Sequence, residues 1–397
     1  MQTSKQLFWP LICLYYFVAA LYALIAYPFW HLPELVMPFF FFAFSVIMLT
    51  VGRRYFKVKH IDIIVIVLLA QLVAIRGNLN GVIEALLKML PFFTFVILRD
   101  EYKPSLYVFL RRAFTLLLAV SLAGWFLHLS GVSLPYFLDT YGWSDKRGDV
   151  QYMYENYWVF LLNLRMEDLI LNRFSCVFLE PGYVGCLMAV FLYLEKFNMR
   201  KLCCWIFLVS LFITFSVAGY VITLFAFILS LLEKTKHRIV YVILVAVGAL
   251  VFYSFFTNYQ NGDNAVNELI LERLAVDDSG DIAGNNRTEE AFDMWFSRDF
   301  VKSSGVVFGD HQRYMELFAG DINVGWKFYV ANYGIVGLVV YVYYLFYLMR
   351  RRPSYRTYVL FFIYLLIFAR GHFFNFASIF MILYYVGIYN QLSKDGY

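Results

Sequence analysis

An all-α polytopic membrane protein with about 12 transmembrane helices is the fold that the sequence predicts, and three observations predict it. Of the 397 residues, 62% are apolar and only 15% charged, with a mean hydropathy of +0.65; soluble domains hold roughly 45–50% and about 25%. The apolar residues fall in runs on the scale of a hydrocarbon layer about 30 Å thick. Most of the basic residues fall on one side of a membrane threaded through those runs. Aromatic side chains alone make up 21% of the chain, more apolar surface than a soluble core of this size can hide. Disorder, a disulfide-stapled secreted module and an ordinary cytosolic enzyme are thereby excluded.

In chain order the runs are 8–30, 35–51, 61–75, 82–98, 106–129, 177–194, 202–215, 217–232, 239–256, 324–349, 357–369 and 373–389. The first carries no charge and is expected to stay in the membrane as an anchor, not to be cleaved as a leader. Basic clusters punctuate the rest: Arg53, Arg54, Lys57 and Lys59; Lys196, Arg200 and Lys201; Lys234, Lys236 and Arg238; Arg350, Arg351, Arg352 and Arg356. With Lys5 in the cytoplasm all of these stay there, while short outer loops such as 31–34 and 216–219 carry almost none. The same rule folds 202–232 back near Ser216, because basic residues at both of its ends need the same side. Both termini are then cytoplasmic, and the chain reads as a single membrane domain, 1–397. Its two long polar loops, 130–172 and 257–323, face outward. The second is expected to carry a short amphipathic helix, 266–276, and a further helical stretch, 288–301, with Ala291, Met294, Trp295 and Phe296 on its apolar side. The five cysteines show no metal-ligand or redox spacing and read as small buried hydrophobes.

Ionisable residues inside a membrane are costly and mark function. Arg76 ends the third run, Glu84 and Lys88 open the fourth, and Arg370 with His372 separates the last two, all toward the outer leaflet. Glu84 and Lys88 stand i, i+4 and suit mutual neutralisation; Arg76 and Arg370 have no acidic neighbour along the chain. The outer loops add Arg165, Arg173, Arg287, Arg298 and Arg313. These oppose the inward bias, which points to an anion that retains them; a solvated surface charge is the alternative for any one of them. A planar guanidinium suits bidentate binding of phosphate. His311, between Asp310 and Gln312, is the one histidine of the two long loops and is either a general base or a solvated loop residue. The acidic run 277–281 lacks the glycine position of an EF-hand, and no metal is implied.

Four stretches recur in a known order. Arg173 leads through Phe178-Leu179-Glu180-Pro181-Gly182 into a run. Thr214-Phe215-Ser216-Val217-Ala218-Gly219 forms a serine-containing outer turn between paired short runs. Arg287 opens a loop helix with Trp295 eight residues on, followed by Val306-Val307-Phe308-Gly309-Asp310. Asn323 is followed by Asn332-Tyr333-Gly334-Ile335-Val336-Gly337-Leu338 at the entry to a run. On these features the chain resembles the Wzy-type O-antigen and capsular polysaccharide polymerases of bacteria, and more distantly the O-antigen ligases. The likeness runs by motif over about 165–345 and elsewhere by topology.

The resemblance implies a GT-C-like membrane fold and a metal-independent glycosyltransferase with no cofactor. It would transfer a growing glycan from undecaprenyl pyrophosphate onto a lipid-linked repeat unit at the periplasmic face of the bacterial inner membrane. The implied partners are the undecaprenyl-pyrophosphate-linked oligosaccharide, membrane lipid and a chain-length regulator protein, with no nucleic acid. Arg173 and Arg287 would hold the pyrophosphate together with Arg76 or Arg370; Arg165, Arg313 and Asn323 would bind substrate. The base stays open among Asp321, His311 and Glu180. Tyr141, Trp143, Tyr152, Tyr154, Tyr157 and Trp158 suit either stacking on sugar faces or an interfacial belt. Many relatives carry an arginine in the serine turn, where this chain has Val217-Ala218, and the ligases carry a His-Asn pair where it has Ile322-Asn323. The missing histidine argues for polymerase over ligase. A transporter, the rival class, would gather its polar groups near the midplane in two related halves; here they gather at the outer face and no repeat is visible.

Overall fold

The computed structural model describes residues 2–33, 35–59, 79–141, 152–164, 172–234, 238–264, 266–272, 290–318, 325–350, 352–370 and 378–390. In chain order the helices begin with α1 (Gln2–Ala23), α2 (Val36–Val51), α3 (Leu79–Ile97) and α4 (Lys103–Leu129). Three strands follow, β1 (Phe137–Tyr141), β2 (Tyr152–Asn156) and β3 (Leu161–Asn163). Then come α5 (Pro181–Leu194), α6 (Leu202–Ile213), α7 (Val217–Lys234) and α8 (Arg238–Asn258), and after them α9 (Glu290–Arg298), the single turn α10 (Gly305–Phe308) and α11 (His311–Phe318). The chain closes with α12 (Trp326–Arg350), α13 (Tyr355–Arg370) and α14 (Ser378–Asn390).

A helix lies along every predicted apolar run except 61–75, which falls outside the described residues. Two of these helices, α4 and α12, are long and apolar enough to cross a membrane. The first run is shorter as a helix than the sequence suggested. It ends at Ala23, Ile25 takes φ +49°, and a separate 3-10 turn follows at Phe29–His31. Ile25 closes the helix with a left-handed C-terminal cap, in which the Ala26 N–H donates to the Leu21 carbonyl and the Ile25 N–H to the Tyr22 carbonyl, both at 3.0 Å, and Pro28 beyond could not have continued the helix.

The expectation of an all-α chain with only short helices in its loops is corrected in the first long loop. There β1, β2 and β3 form an antiparallel sheet, with Phe137 opposite Asn156 and Asn156 opposite Leu161. Along β2 the side chains alternate, Met153 exposed, Tyr154 buried, Glu155 half-buried and Asn156 buried. That period of two, in a segment rich in aromatic residues, favours a strand. In the second loop the segment expected as a helix over 266–276 opens as a short π-helical turn, Asn267–Leu271; 273–276 lie outside the described residues.

The chain divides into two compact units, 1–114 with 290–397, and 115–289. In the first, α1, α2, α3 and α14 pack together. Buried tyrosines bond between them: Tyr15 to Ser45 at 2.9 Å, and Tyr16 to Thr94 at 3.2 Å. Tyr344 and Tyr385 join α12 to α14 at 2.7 Å. A buried phenol needs such a partner, and these bonds fix helix register where apolar contacts alone would let it slide. In the second unit α5 is buried nearly all round, packed by α6 and α7. A Cβ on Gly219 would lie 2.9 Å from the backbone of Gly185, and one on Gly185 would lie 2.6 Å from the Ser216 Cβ. Only glycine permits so close an approach.

Candidate functional site

The first unit holds a small aromatic module that seats His311. Phe292 and Phe296 of α9, Phe300 beyond it, Tyr314 and Phe318 of α11, and Val330 and Ala331 of α12 form one buried cluster. The spacing 292, 296, 300 is one face of a helix. The sequence placed the apolar face of this segment on Ala291, Met294, Trp295 and Phe296, whereas Ala291 and Met294 are exposed; Phe292 supplies the anchor instead. Lys327 Nζ to Asp293 Oδ1 at 2.5 Å ties α12 to α9.

Helix α12 is broken at Gly334, which takes φ +69° and ψ 179°. The break is filled by the chain itself. A Cβ on Gly334 would stand 2.2 Å from the Val307 carbonyl oxygen and 2.5 Å from the Gly309 nitrogen, and one on Gly309 (φ +87°) 2.3 Å from the Asn332 carbonyl oxygen. The Asp310 N–H donates to the Ala331 carbonyl at 2.7 Å, an acceptor that a continuous helix would have spent internally. Two of the motif stretches, 306–310 and 332–338, thus meet back to back.

This docking places His311 beside Asn332, with Nδ1 2.5 Å from Oδ1. Asn332 is fully buried, and its Nδ2 donates to the Phe328 carbonyl at 2.7 Å. The amide is therefore oriented by its own helix, Oδ1 is the acceptor, and His311 Nδ1 carries the proton. In the neutral ring the lone pair then sits on Nε2, which among the described residues has no hydrogen-bond partner. One turn on, the Arg313 N–H is capped by Asp310 Oδ1 at 3.1 Å. The exposed Arg313 guanidinium pairs with Glu316 at 3.2 Å. A half-buried imidazole with a fixed tautomer can accept a proton from a hydroxyl, while the Arg313 guanidinium, two residues on, stands on a different face of α11.

The second unit holds Arg173 and Glu180. Arg173 Nε donates to the Thr214 carbonyl at 2.9 Å and its NH2 group to the Phe215 carbonyl at 3.1 Å. These are carbonyls left over at the end of α6, in the serine turn that the sequence singled out. Ser216 Oγ accepts from the Gly219 N–H at 3.3 Å and caps α7. Glu180 stands half-buried just before Pro181, at the N-cap position of α5, and its carboxylate makes no capping bond.

The sheet of this unit carries a further cluster of polar and aromatic groups. The Tyr157 hydroxyl donates to Glu155 Oε2 at 2.6 Å and lies 3.2 Å from His128 Nδ1. Burial, with the Glu155 carboxylate beside it, pushes this phenol well above its ordinary pKa. Of the aromatics proposed to meet sugars, Tyr154 and Tyr157 are buried and Trp158 is exposed; Trp143 lies outside the described residues.

The structure thus brings His311 and Arg313 together in one unit and sets Arg173 and Glu180 in the other. Arg76, Arg165, Arg287, Asp321 and Asn323 lie outside the described residues, and of Arg370 only its place as the last residue of α13 is described. Asn332 is the residue that sequence reasoning missed: it stood inside a motif stretch, but nothing along the chain linked it to His311. Comparison of the chain with family models, with curated proteins and with solved structures finds no match.

Proposed function

We propose that the chain is a glycan polymerase of GT-C-like, twelve-span architecture in the bacterial inner membrane, with both termini in the cytoplasm. It joins lipid-linked repeat units at the periplasmic face. The observation that carries this reading is the His311–Asn332 pair, because a buried amide committed to one orientation leaves Nε2 as the ring's basic nitrogen. In the reaction the acceptor hydroxyl gives its proton to His311 Nε2 as its oxygen attacks the anomeric carbon of the donor glycan. The bond from that carbon to the carrier's phosphate oxygen breaks, and undecaprenyl pyrophosphate leaves with the electron pair. Arg313, together with Arg287, meets the charge growing on the leaving group, where charge-assisted bonds are worth most. Among Asp321, His311 and Glu180 this reading takes His311 as the base. Exposed apolar side chains on several helices, such as Leu116, Leu250 and Val251 at 63–67%, support lipid as the surrounding solvent.

Among the described residues, the break in α12 favours a transporter, since carriers often bind their cargo at discontinuous helices. Here backbone at 307–310 fills the break, which leaves its carbonyls serving the fold. The deciding experiment is deletion of the gene. It should leave single repeat units on the carrier, still made and flipped. Long chains persisting on the carrier would make ligase the better reading, and repeat units trapped on the inner face would favour transport. Cysteines placed at 145 and 280 should label from outside, and ones at 56 and 352 should not.

A further inference from the structure

The first long loop presents one large aromatic ring in an unusual way. Trp158 is 64% exposed, yet it takes φ +67°, a left-handed conformation that bulky residues avoid and that persists only where the surroundings enforce it. Enforcement comes from beneath. The Trp158 N–H donates to Asn156 Oδ1 at 2.8 Å, and Asn156 Nδ2 donates to Asp139 Oδ2 at 3.0 Å. Asn156 and Asp139 are both buried, so a polar pair inside the sheet is committed to holding the second residue beyond β2. The indole rests against Phe137 of β1, centroids 5.1 Å apart, while the preceding residue, Tyr136, half exposed, packs instead on Tyr157 at 5.4 Å. Tyr157 stacks in turn on Phe160 at 4.4 Å.

We propose that Trp158 is a preorganised stacking platform for a pyranose ring. The inference rests on the glycan-transfer reading for its choice of ligand and deepens it by naming where a sugar of the repeat unit is held. A strained backbone lowers stability, and an indole that leaves most of its surface in solvent returns little of that through packing. What it supplies is a flat ring held in one orientation, so that little entropy is lost when a ligand meets it. A pyranose has a face of axial C–H groups and a rim of hydroxyls. The indole's electron-rich face suits the first, and the hydroxyls of the second stay free to bond with water.

The test uses the full chain in lipid nanodiscs and the methyl glycosides of glucose, galactose, mannose, rhamnose and N-acetylglucosamine. Saturation-transfer NMR should show contact with the ring C–H protons of at least one of them. The signal should vanish in Trp158→Ala and persist in Trp158→Phe. Trp158→Gly guards against a folding artefact: glycine relieves the backbone, so its Tm should equal or exceed that of the wild type while the sugar signal is lost. No signal from any glycoside with the wild-type protein, or a signal indifferent to Trp158→Ala, overturns the proposal. So does a fall in quenching by brominated acyl chains on Trp158→Phe, which would make the residue a membrane anchor. The readout needs no polymerisation, so a platform that binds sugar in an inactive protein would refute the catalytic reading alone.

Discussion

Asn332 directs His311 through a bond of 2.5 Å from Nδ1 to Oδ1, while the other end of the same amide is spent on the Phe328 carbonyl. If His311 is the base, His311→Ala should lower the rate of polymer formation by about 100-fold or more, the usual cost of losing a general base. Asn332→Ala should lower the rate by less, because the imidazole remains but its tautomer and orientation are released. Both losses should fall on kcat and spare KM, since neither side chain is asked to bind the ground state. The measurement is polymer formed per unit time at matched protein level in the membrane. Wild-type rates from His311→Ala would move the base to Asp321 or Glu180.

The glycine contacts make a second prediction, with its own control. Gly334 and Gly309 combine a left-handed φ with backbone atoms 2.2–2.3 Å from any added Cβ, so neither the conformation nor the space admits a side chain. Alanine at either position should cost at least about 3 kcal/mol, the upper end of ordinary single substitutions. Gly248 of α8 has open space around it, and Gly248→Ala should stabilise the helix by about 0.5–1 kcal/mol. Thermal melting of the purified chain should therefore move down in the first two variants and up in the third. A Gly334→Ala protein as stable as wild type would mean that α12 is unbroken.

How far the sequence could reach follows from these same residues. Run lengths and hydropathy placed the helices because burial in an apolar medium is written into composition. The serine turn between α6 and α7 was legible from the basic residues flanking it. The union of 306–310 with 332–338 was not, although both stretches were singled out, because it depends on a φ at Gly334 that no neighbour along the chain dictates. Likewise Arg173 was marked by its charge, while its partners are the carbonyls of Thr214 and Phe215, which every residue possesses and no sequence advertises. The sheet is hidden by the polarity of its segment, which marks a loop, and only the alternation over 152–156 signals a strand.

Arg173 yields a third prediction. Arg173→Ala removes the donors from two carbonyls at the end of α6, which should destabilise the unit by about 1.5–3 kcal/mol, the range for hydrogen bonds to a charged group. Arg173→Lys keeps the charge but loses the fork, and should recover part of that. A guanidinium that only caps the turn affects activity through folding. Cooling the Ala variant well below its lowered Tm should then restore polymer. Activity that stays lost in the folded protein would give Arg173 a place at the pyrophosphate as well.

The connection from α3 to α4 supports a pH prediction. Asp100 accepts from Lys59 and from Lys103 at 2.8 Å each, and Lys103 is only 2% exposed. Burial acts to raise the Asp100 pKa, but the two ammonium groups outweigh it and hold the carboxyl below its ordinary range. The folded chain therefore binds this proton less readily than the unfolded chain. The stabilisation is complete above the ordinary carboxylate pKa and is lost as pH falls through the lowered folded-state value. Asp100→Asn leaves the Lys103 ammonium buried beside a neutral amide. The cost should be about 2 kcal/mol near neutral pH, less than for a wholly buried pair because Asp100 is itself partly solvated. Melting both proteins from about pH 7 down to about pH 3 should show the gap in Tm narrowing on the acid side, as the wild-type carboxyl takes up its proton. A gap that stays constant into acid would mean that Asp100 contributes by shape and not by charge.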